Sequence, residues 1–524
     1  MDENIFCHPV SLSCAKSQDR GNEDKRGFPI KTFGNDKRVE SKPAFVNFID
    51  SAIASQRRMT ILIILLFAAF VFSSCASKPK TVFVLSSESV PAKKTEAIVL
   101  HPAPLAFGDV PRDMKSAGYW ISKIKNPDAE ILDRKGINSL NAKTTNVSMF
   151  LKDIRYFPPR YSGRMAEDKL KKALSAFAKH YDGSGEEPVG KEYFLEIADN
   201  VDFELLRSTV TVRFAMTINF AQLRAIPFDK PLYSSLDTLD IDRVQFTLLD
   251  LGSPLAILYQ TKDKKWLYAV SEIAEGWISR DSVAFCTQDD IKKHKSWKNT
   301  AVTISANTDI FKDKFMKNFL FSVKMGTQLQ FYKIYDNYVE IRIPGADKNG
   351  RLEYKKAAVA SSDIHEGFLK YTQRNVLIQA FRNLNQPYGW GGMNGDQDCS
   401  AFLKQVFACF GIILPRNSTG QSQVGAFFMG FDANESETAR AERIIKHGTP
   451  GATFLYFPGH IMLYIGHDNK KPYVIHSVRG YAEDDTNLSN VYLLNKVAVT
   501  TLNIGEDSKK GSFLKRTTLM RTVK

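Results

Sequence analysis

Long apolar runs and cysteine are both scarce in this 524-residue chain. The apolar stretch from Ile61 to Phe72 holds twelve residues, too few to span a bilayer. Six cysteines (Cys7, Cys14, Cys75, Cys286, Cys399 and Cys409) do not make a disulfide framework in a chain of this length. No Cys/His cluster has metal-ligand spacing, so no metal is expected, and nothing in the sequence asks for a cofactor. Zinc-finger spacing and dense Arg/Lys helices are also missing. That argues against nucleic acid, although a net charge of +14 favours an anionic partner.

What is present at the N-terminus reads as an address. Arg57-Arg58-Met59 precedes the apolar run, which has the length of a signal-peptide core. The run ends in Phe72-Ser73-Ser74-Cys75, small residues before a cysteine, which resembles the lipobox of bacterial lipoproteins. The resemblance implies lipidation of Cys75, a lipid-anchored exported protein in the cell envelope and, in a Gram-negative cell, a place on the periplasmic face of the outer membrane. Phe72 departs from the leucine-like residue usual there, and an ordinary secretory signal or an uncleaved anchor is the alternative. Residues 1–58 are polar and lack periodicity, an unstructured extension that a start just upstream of Arg57 would leave out.

With 43% hydrophobic residues the chain can bury several cores. After the leader (59–75), residues 76–100 are rich in Ser, Lys and Pro and suit a flexible tether. Residues 101–195 read as mostly helical, with the strongest helix over Met165 to Tyr181, where Leu170, Leu174 and Phe177 recur at helical spacing. Short β runs follow over 196–290, among them Pro254 to Tyr259, Lys265 to Val270 and Gly276-Trp277-Ile278, as in a small barrel. A second set spans 291–368. Both resemble bacterial SH3-like modules, in which Trp266 and Trp277 are either ligand contacts or core.

Residues 369–524 carry the chemistry. Tyr388-Gly-Trp390-Gly391-Gly392 precedes Asp398-Cys399-Ser400, and the pattern predicts a helix over Cys399 to Phe410, with Phe402, Val406 and Phe410 on one face and Gly411 at its end. A cysteine taken alone is more often an inert core residue. One in the first helical turn, however, sits where the helix N-terminus would stabilise a thiolate. Leu414-Pro415-Arg416-Asn417-Ser418 and Gln421 follow. Downstream, Pro450 to Phe457 and His460 to Gly466 read as paired strands, with His476 on the next strand. His447 and His467 fall in polar loops. Asp398 and Ser400 also suit plain helix capping.

The ordered set of aromatic-x-Trp-Gly-Gly, Asp-Cys-Ser, Leu-Pro-Arg-x-Ser and Gln resembles the NlpC family of bacterial cell-wall cysteine peptidases. It implies an α+β architecture: a papain-like catalytic domain after two small SH3-like β-barrels and a mostly helical N-terminal stabilising segment. It also implies Cys399 as nucleophile, His460 as base and His476 as the orienting third member, with the Cys399 N–H as an oxyanion donor. Tyr388, Trp390, Asp398, Ser400 and Ser418 would line substrate subsites. Ala452 departs from the family's Asp after Pro-Gly, which puts capping of that strand in doubt. The expected partners are peptidoglycan stem peptides or muropeptides, cut between γ-D-glutamate and a diamino acid by a monomeric enzyme. In relatives of this architecture the first barrel closes one side of the cleft and favours peptides with a free N-terminal L-alanine. Asp242 is the candidate to hold that ammonium. An amidase or acyltransferase on the same core, or a non-catalytic wall-binding lipoprotein, are the competing readings.

Overall fold

Runs such as Pro254 to Tyr259 and Trp266 to Val270 are apolar at consecutive positions, which demands a sheet covered on both faces. In the computed structural model they lie in a seven-stranded antiparallel sheet. Its spatial order is Val283–Cys286, Arg213–Thr217, Pro254–Gln260, Trp266–Val270, Glu275–Ser279, Ala221–Arg224 and Gln245–Leu249. Leu255, Ile257, Leu267, Ala269 and Ile278 fill one side. Ala256, Leu258, Tyr268, Val270 and Trp277 meet Ile154, Leu174, Phe177, Phe194, Ile197 and Val201 on the other. Trp277 is 1% exposed and packs edge-on against Tyr259 and Tyr268, and Trp266 packs on the same cluster.

The structure describes residues 110–147, 151–177, 179–185, 187–202, 209–482 and 491–524. The leader, Cys75 and the tether lie outside the described residues. Among the described residues, no helix is long and apolar enough to cross a membrane.

A helix at Gln288–Lys295, started by a reciprocal Thr287/Asp290 capping box, leads to a second seven-stranded antiparallel sheet. Its strands are Thr300–Thr303, Asn307–Phe311, Phe319–Lys324, Gln328–Ile334, Tyr338–Ala346, Leu352–Ala360 and Ile364–Glu366. The chain is thus a mixed α/β protein in which two β-rich SH3-like domains precede a papain-like domain.

In the papain-like domain a six-stranded antiparallel sheet runs in the order Phe427–Gly430, Leu519–Thr522, Thr453–Phe457, His460–Asp468, Lys471–Ala482 and Val491–Thr501. Helices Gln373–Arg382 and Cys399–Ala408 pack on it. Phe402, Leu403, Val406 and Phe407 are fully buried, at roughly 1.5–3 kcal/mol each, so the helix bearing Cys399 is held by its whole length.

The N-terminal segment is less uniformly helical than its composition implies, and it divides between two partners. Residues up to 141 serve the C-terminal domain: Trp120 is buried against Tyr473, Arg134 donates to the Phe410 carbonyl, and Asn141 bridges Gly411 and Ile413. The helix begins earlier and ends sooner than its apolar spacing predicts, at Gly163–Phe177, and packs on the first barrel instead.

Candidate active site

Asp398 starts the construction. It occupies the N-cap of the Cys399–Ala408 helix, and its Oδ1 accepts from the Ala401 N–H at 2.8 Å. Arg416 grips both oxygens, at 3.0 Å to Oδ1 and 2.6 Å to Oδ2, while Gly391 N–H reaches Oδ2 at 3.2 Å. The Ser400 hydroxyl donates to Asp398 Oδ1 and accepts from Arg416. Gln421 closes the cluster by donating to the Ser400 and Pro415 carbonyls. Two side chains expected in substrate subsites, Asp398 and Ser400, are therefore occupied in holding the nucleophile's turn. Arg416, in the Leu-Pro-Arg run, is their buried counter-charge.

Arg416 also donates through Nε to Thr247 of the first barrel at 2.6 Å. The barrel reaches the Trp-Gly-Gly turn as well, where Gln245 donates to the Gly391 carbonyl. Gly391 and Gly392 have φ of +60° and +86°, and a Cβ on either would stand 2.7 Å from the Gln245 carbonyl or 2.6 Å from Leu248 Cβ. Glycine is needed there both for the turn and for the approach of the barrel. On the far side, Gly326 of the second barrel brings its backbone against Gln405 and Ala408 of the nucleophile helix. Cys409 points its thiol to the Thr303 carbonyl, and Lys404 pairs with Asp250. Both barrels thus fix the helix that carries Cys399.

Strands supply the histidines. Phe457 and His460 face one another across a two-residue turn, Pro458-Gly459. The strand before it is closed without an aspartate at Ala452: Thr449 N–H donates to Thr453 Oγ1, and the Ala452 and Thr453 amides donate to the Thr449 carbonyl. His460 Nε2 lies 2.7 Å from His476 Nδ1, and His476 Nε2 lies 3.0 Å from Thr500 Oγ1. This chain leaves Nδ1 of His460 as the ring nitrogen available to a thiol. Cys399 and His460 line one cavity of about 320 Å³, together with Tyr388, Trp390, Asp398, Ser400, Ser418, Arg243, Arg479, Lys510 and Arg516. His447 and His467 do not line it.

Burial pushes the Cys399 thiol up to about 12, and the Asp398 charge adds to the rise; the N–H groups of Ile461 and Ser400 and the Arg416 charge pull the other way. Burial, with His476 and Arg516, drives His460 well below its ordinary value, and burial alone takes His476 to about 3. Asp398 caps the helix terminus at which this thiol sits.

Asp242 is a second correction. It does not line the cavity: it is buried in an ion pair with Arg224 at 2.8 Å and accepts from the Leu232 and Val244 amides. Its neighbour Asp240 is held by Arg479 through two bonds of 2.7 and 2.8 Å. Among the described residues no group of His, Cys, Asp and Glu could hold a metal ion.

A helix-borne cysteine set against histidines on an antiparallel sheet defines the papain-like class. Residues 385–495 match the model of the NlpC/P60 family, and residues 228–279 match that of the SH3 domain of SH3b1 type. The C-terminal unit is an NlpC/P60 domain, preceded by two SH3-like domains. The chain resembles the structure of an NlpC/P60 endopeptidase from Photobacterium damselae subsp. piscicida at 20% identity, covering 78% of this chain and 96% of that one with a TM-score of 0.62, a likeness of fold. An NlpC/P60 family protein from Bacillus cereus ATCC 10987 aligns at 16% identity over 59% of this chain and 99% of that one, with a TM-score of 0.41. No curated protein matches the sequence.

Proposed function

We propose that this chain is a cysteine endopeptidase of peptidoglycan stem peptides, cutting between γ-D-glutamate and a diamino acid. The observation that carries the reading is the His460–His476–Thr500 chain, which ends in the cavity that Cys399 lines. Cys399 Sγ attacks the carbonyl carbon after D-glutamate as its proton passes to His460 Nδ1. The oxyanion is met by the Cys399 N–H, which at the first helical position has no partner inside the helix. His460 then protonates the departing amine, and a thioester remains. Water, deprotonated by the same imidazole, hydrolyses it and regenerates the thiol. His476 holds the His460 ring and accepts its Nε2–H; Thr500 fixes His476 in turn. Tyr388, Trp390 and Ser418 are the subsite walls, while Asp398 and Ser400 act through the turn they hold.

The reading also places the protein in the cell envelope as a monomer, lipidated at Cys75. A fatty-acid label lost in Cys75→Ala tests that anchor. For the chemistry, L-Ala-γ-D-Glu-diaminopimelate should give the L-Ala-γ-D-Glu dipeptide and free diaminopimelate, identified by mass, and Cys399→Ala should give neither. Intact substrate with the native chain, or cleavage that survives Cys399→Ala, refutes the proposal.

A further inference from the structure

One edge of the second barrel's sheet is a hairpin with an apolar tip. Phe319–Lys324 is the edge strand and pairs on Asn307–Phe311. Thr308, Ile310 and Val323 are buried toward the base, whereas Phe315, Phe319 and Leu320 are 70%, 58% and 41% exposed. The loop that joins the strands is built rather than slack. Asp313 Oδ1 accepts from the Phe315 N–H at 3.0 Å, and its Oδ2 accepts from the Asn318 N–H and side-chain amide at 2.9 and 2.8 Å. The Lys312 N–H donates to the Asn318 carbonyl, and the Met316 N–H to the Asp313 carbonyl. Met316 is held at φ +53°, a conformation that residues with a Cβ adopt reluctantly. These bonds use up the one carboxylate of the loop and fix Phe315 on the outside.

Lysines surround the tip. Lys312, Lys314 and Lys317 are exposed, and none of the three is in an ion pair among the described residues. Lys314 Nζ lies 5.2 Å from the centroid of the Phe315 ring, so cation and aromatic face the same water. Clustered apolar side chains on a fixed, exposed turn mark a surface that meets a partner. A second copy of this chain fits poorly. A two-fold interface sets a patch against itself and would bring lysine to lysine. An anionic bilayer suits both halves of the tip: the rings enter the boundary between headgroups and acyl chains, and the ammonium groups stay among the phosphates.

We propose that this hairpin is a membrane-contacting tip: Phe315, Phe319 and Leu320 enter the interface of an anionic phospholipid bilayer, and Lys312, Lys314 and Lys317 pair with its headgroups. The inference is independent of the peptidase reading. It gives the second barrel a role of its own, orienting the chain on a bilayer surface.

The test reads the position of the tip in the full chain, so it is indifferent to whatever else holds the chain to a vesicle. Position 315 is exposed, so Phe315→Trp keeps the fold, and the native chain with its five tryptophans gives the background to subtract. On vesicles of phosphatidylglycerol brominated near the headgroup end of the acyl chains, the added emission should be quenched by about half, and on brominated phosphatidylcholine by less than about a tenth. Changing Lys312, Lys314 and Lys317 together to Gln in the Phe315→Trp chain should bring the first value down to the second. Absence of quenching on phosphatidylglycerol, equal quenching on the two lipids, or quenching that survives the lysine changes overturns the proposal. So does a blue shift of the added emission that grows with protein concentration in the absence of lipid, which would assign the tip to a second copy of the chain.

Discussion

Arg416→Met removes the counter-charge of Asp398 and keeps most of the side-chain volume. The two side chains are 5% and 8% exposed, and the pair has two direct N–H···O bonds plus a shared hydroxyl from Ser400. Removing one member of a buried pair strands the other, at about 3–5 kcal/mol. Asp398→Asn should cost a similar amount because it strands Arg416, even though an amide oxygen can still cap the helix. The double variant strands neither, so its cost should fall short of the sum of the singles by about 2–3 kcal/mol. A chain of several domains does not unfold in one step, so hydrogen exchange of peptides spanning Cys399–Ala408 is the suitable readout. Arg416→Met should raise exchange there about a hundredfold or more, since each 1.4 kcal/mol of local opening is tenfold. It should also slow alkylation of Cys399, because the Asp398 charge that disfavours the thiolate is no longer offset. Exchange within threefold of native in both singles, or strictly additive costs in the double, would refute the account of Asp398 as a charge held for the nucleophile's turn.

His476→Ala should lower kcat by about a hundredfold with little change in KM, and Thr500→Val by about tenfold, as expected of groups that position the base; steady-state kinetics on the stem peptide checks both. Buried histidines set an acid limit: His476 and His294 are pushed down to about 3 and His180 to about 4 from 6.5, each chiefly by burial. The unfolded chain binds protons at these sites below about pH 6.5 that the folded chain refuses, so stability is full above that value and falls as pH drops toward 4. Equal melting temperatures at about pH 7.5 and pH 5 would contradict this. Gly392→Ala should cost about 1–3 kcal/mol through its positive φ and the contact with Leu248, and should expose the Gln245–Leu249 strand to proteolysis; unchanged cleavage rates would show that the barrel docks elsewhere.

The placements of Cys399, His460 and His476 were legible because each lies at a local junction that short-range pattern exposes: loop to helix for Cys399, turn to strand for His460, strand interior for His476. The barrels were legible as runs of strands, though the hairpin Asn307–Phe311 with Phe319–Lys324 carries little strand signal in its sequence. Its outer residues are exposed and break the alternation that marks a half-buried strand. The role of Arg416 was hidden because its partners are 16, 18 and 169 positions away. Asp242 misled for a related reason. An aspartate in a loop reads as solvated, and only the fold brings Arg224 and two amides around it.

The sequence by itself determined the order of modules, the helix bearing Cys399 and the residue types able to act as nucleophile and base, since periodicity and turn chemistry are properties of neighbours along the chain. Tertiary structure decided which charges face the cavity and which are consumed in pairing. It buried the Cys399 thiol, placed His460 Nε2 on His476, and turned Arg243 rather than Asp242 toward the cavity. Those outcomes depend on burial and on charges brought together from distant segments, and no local pattern encodes them.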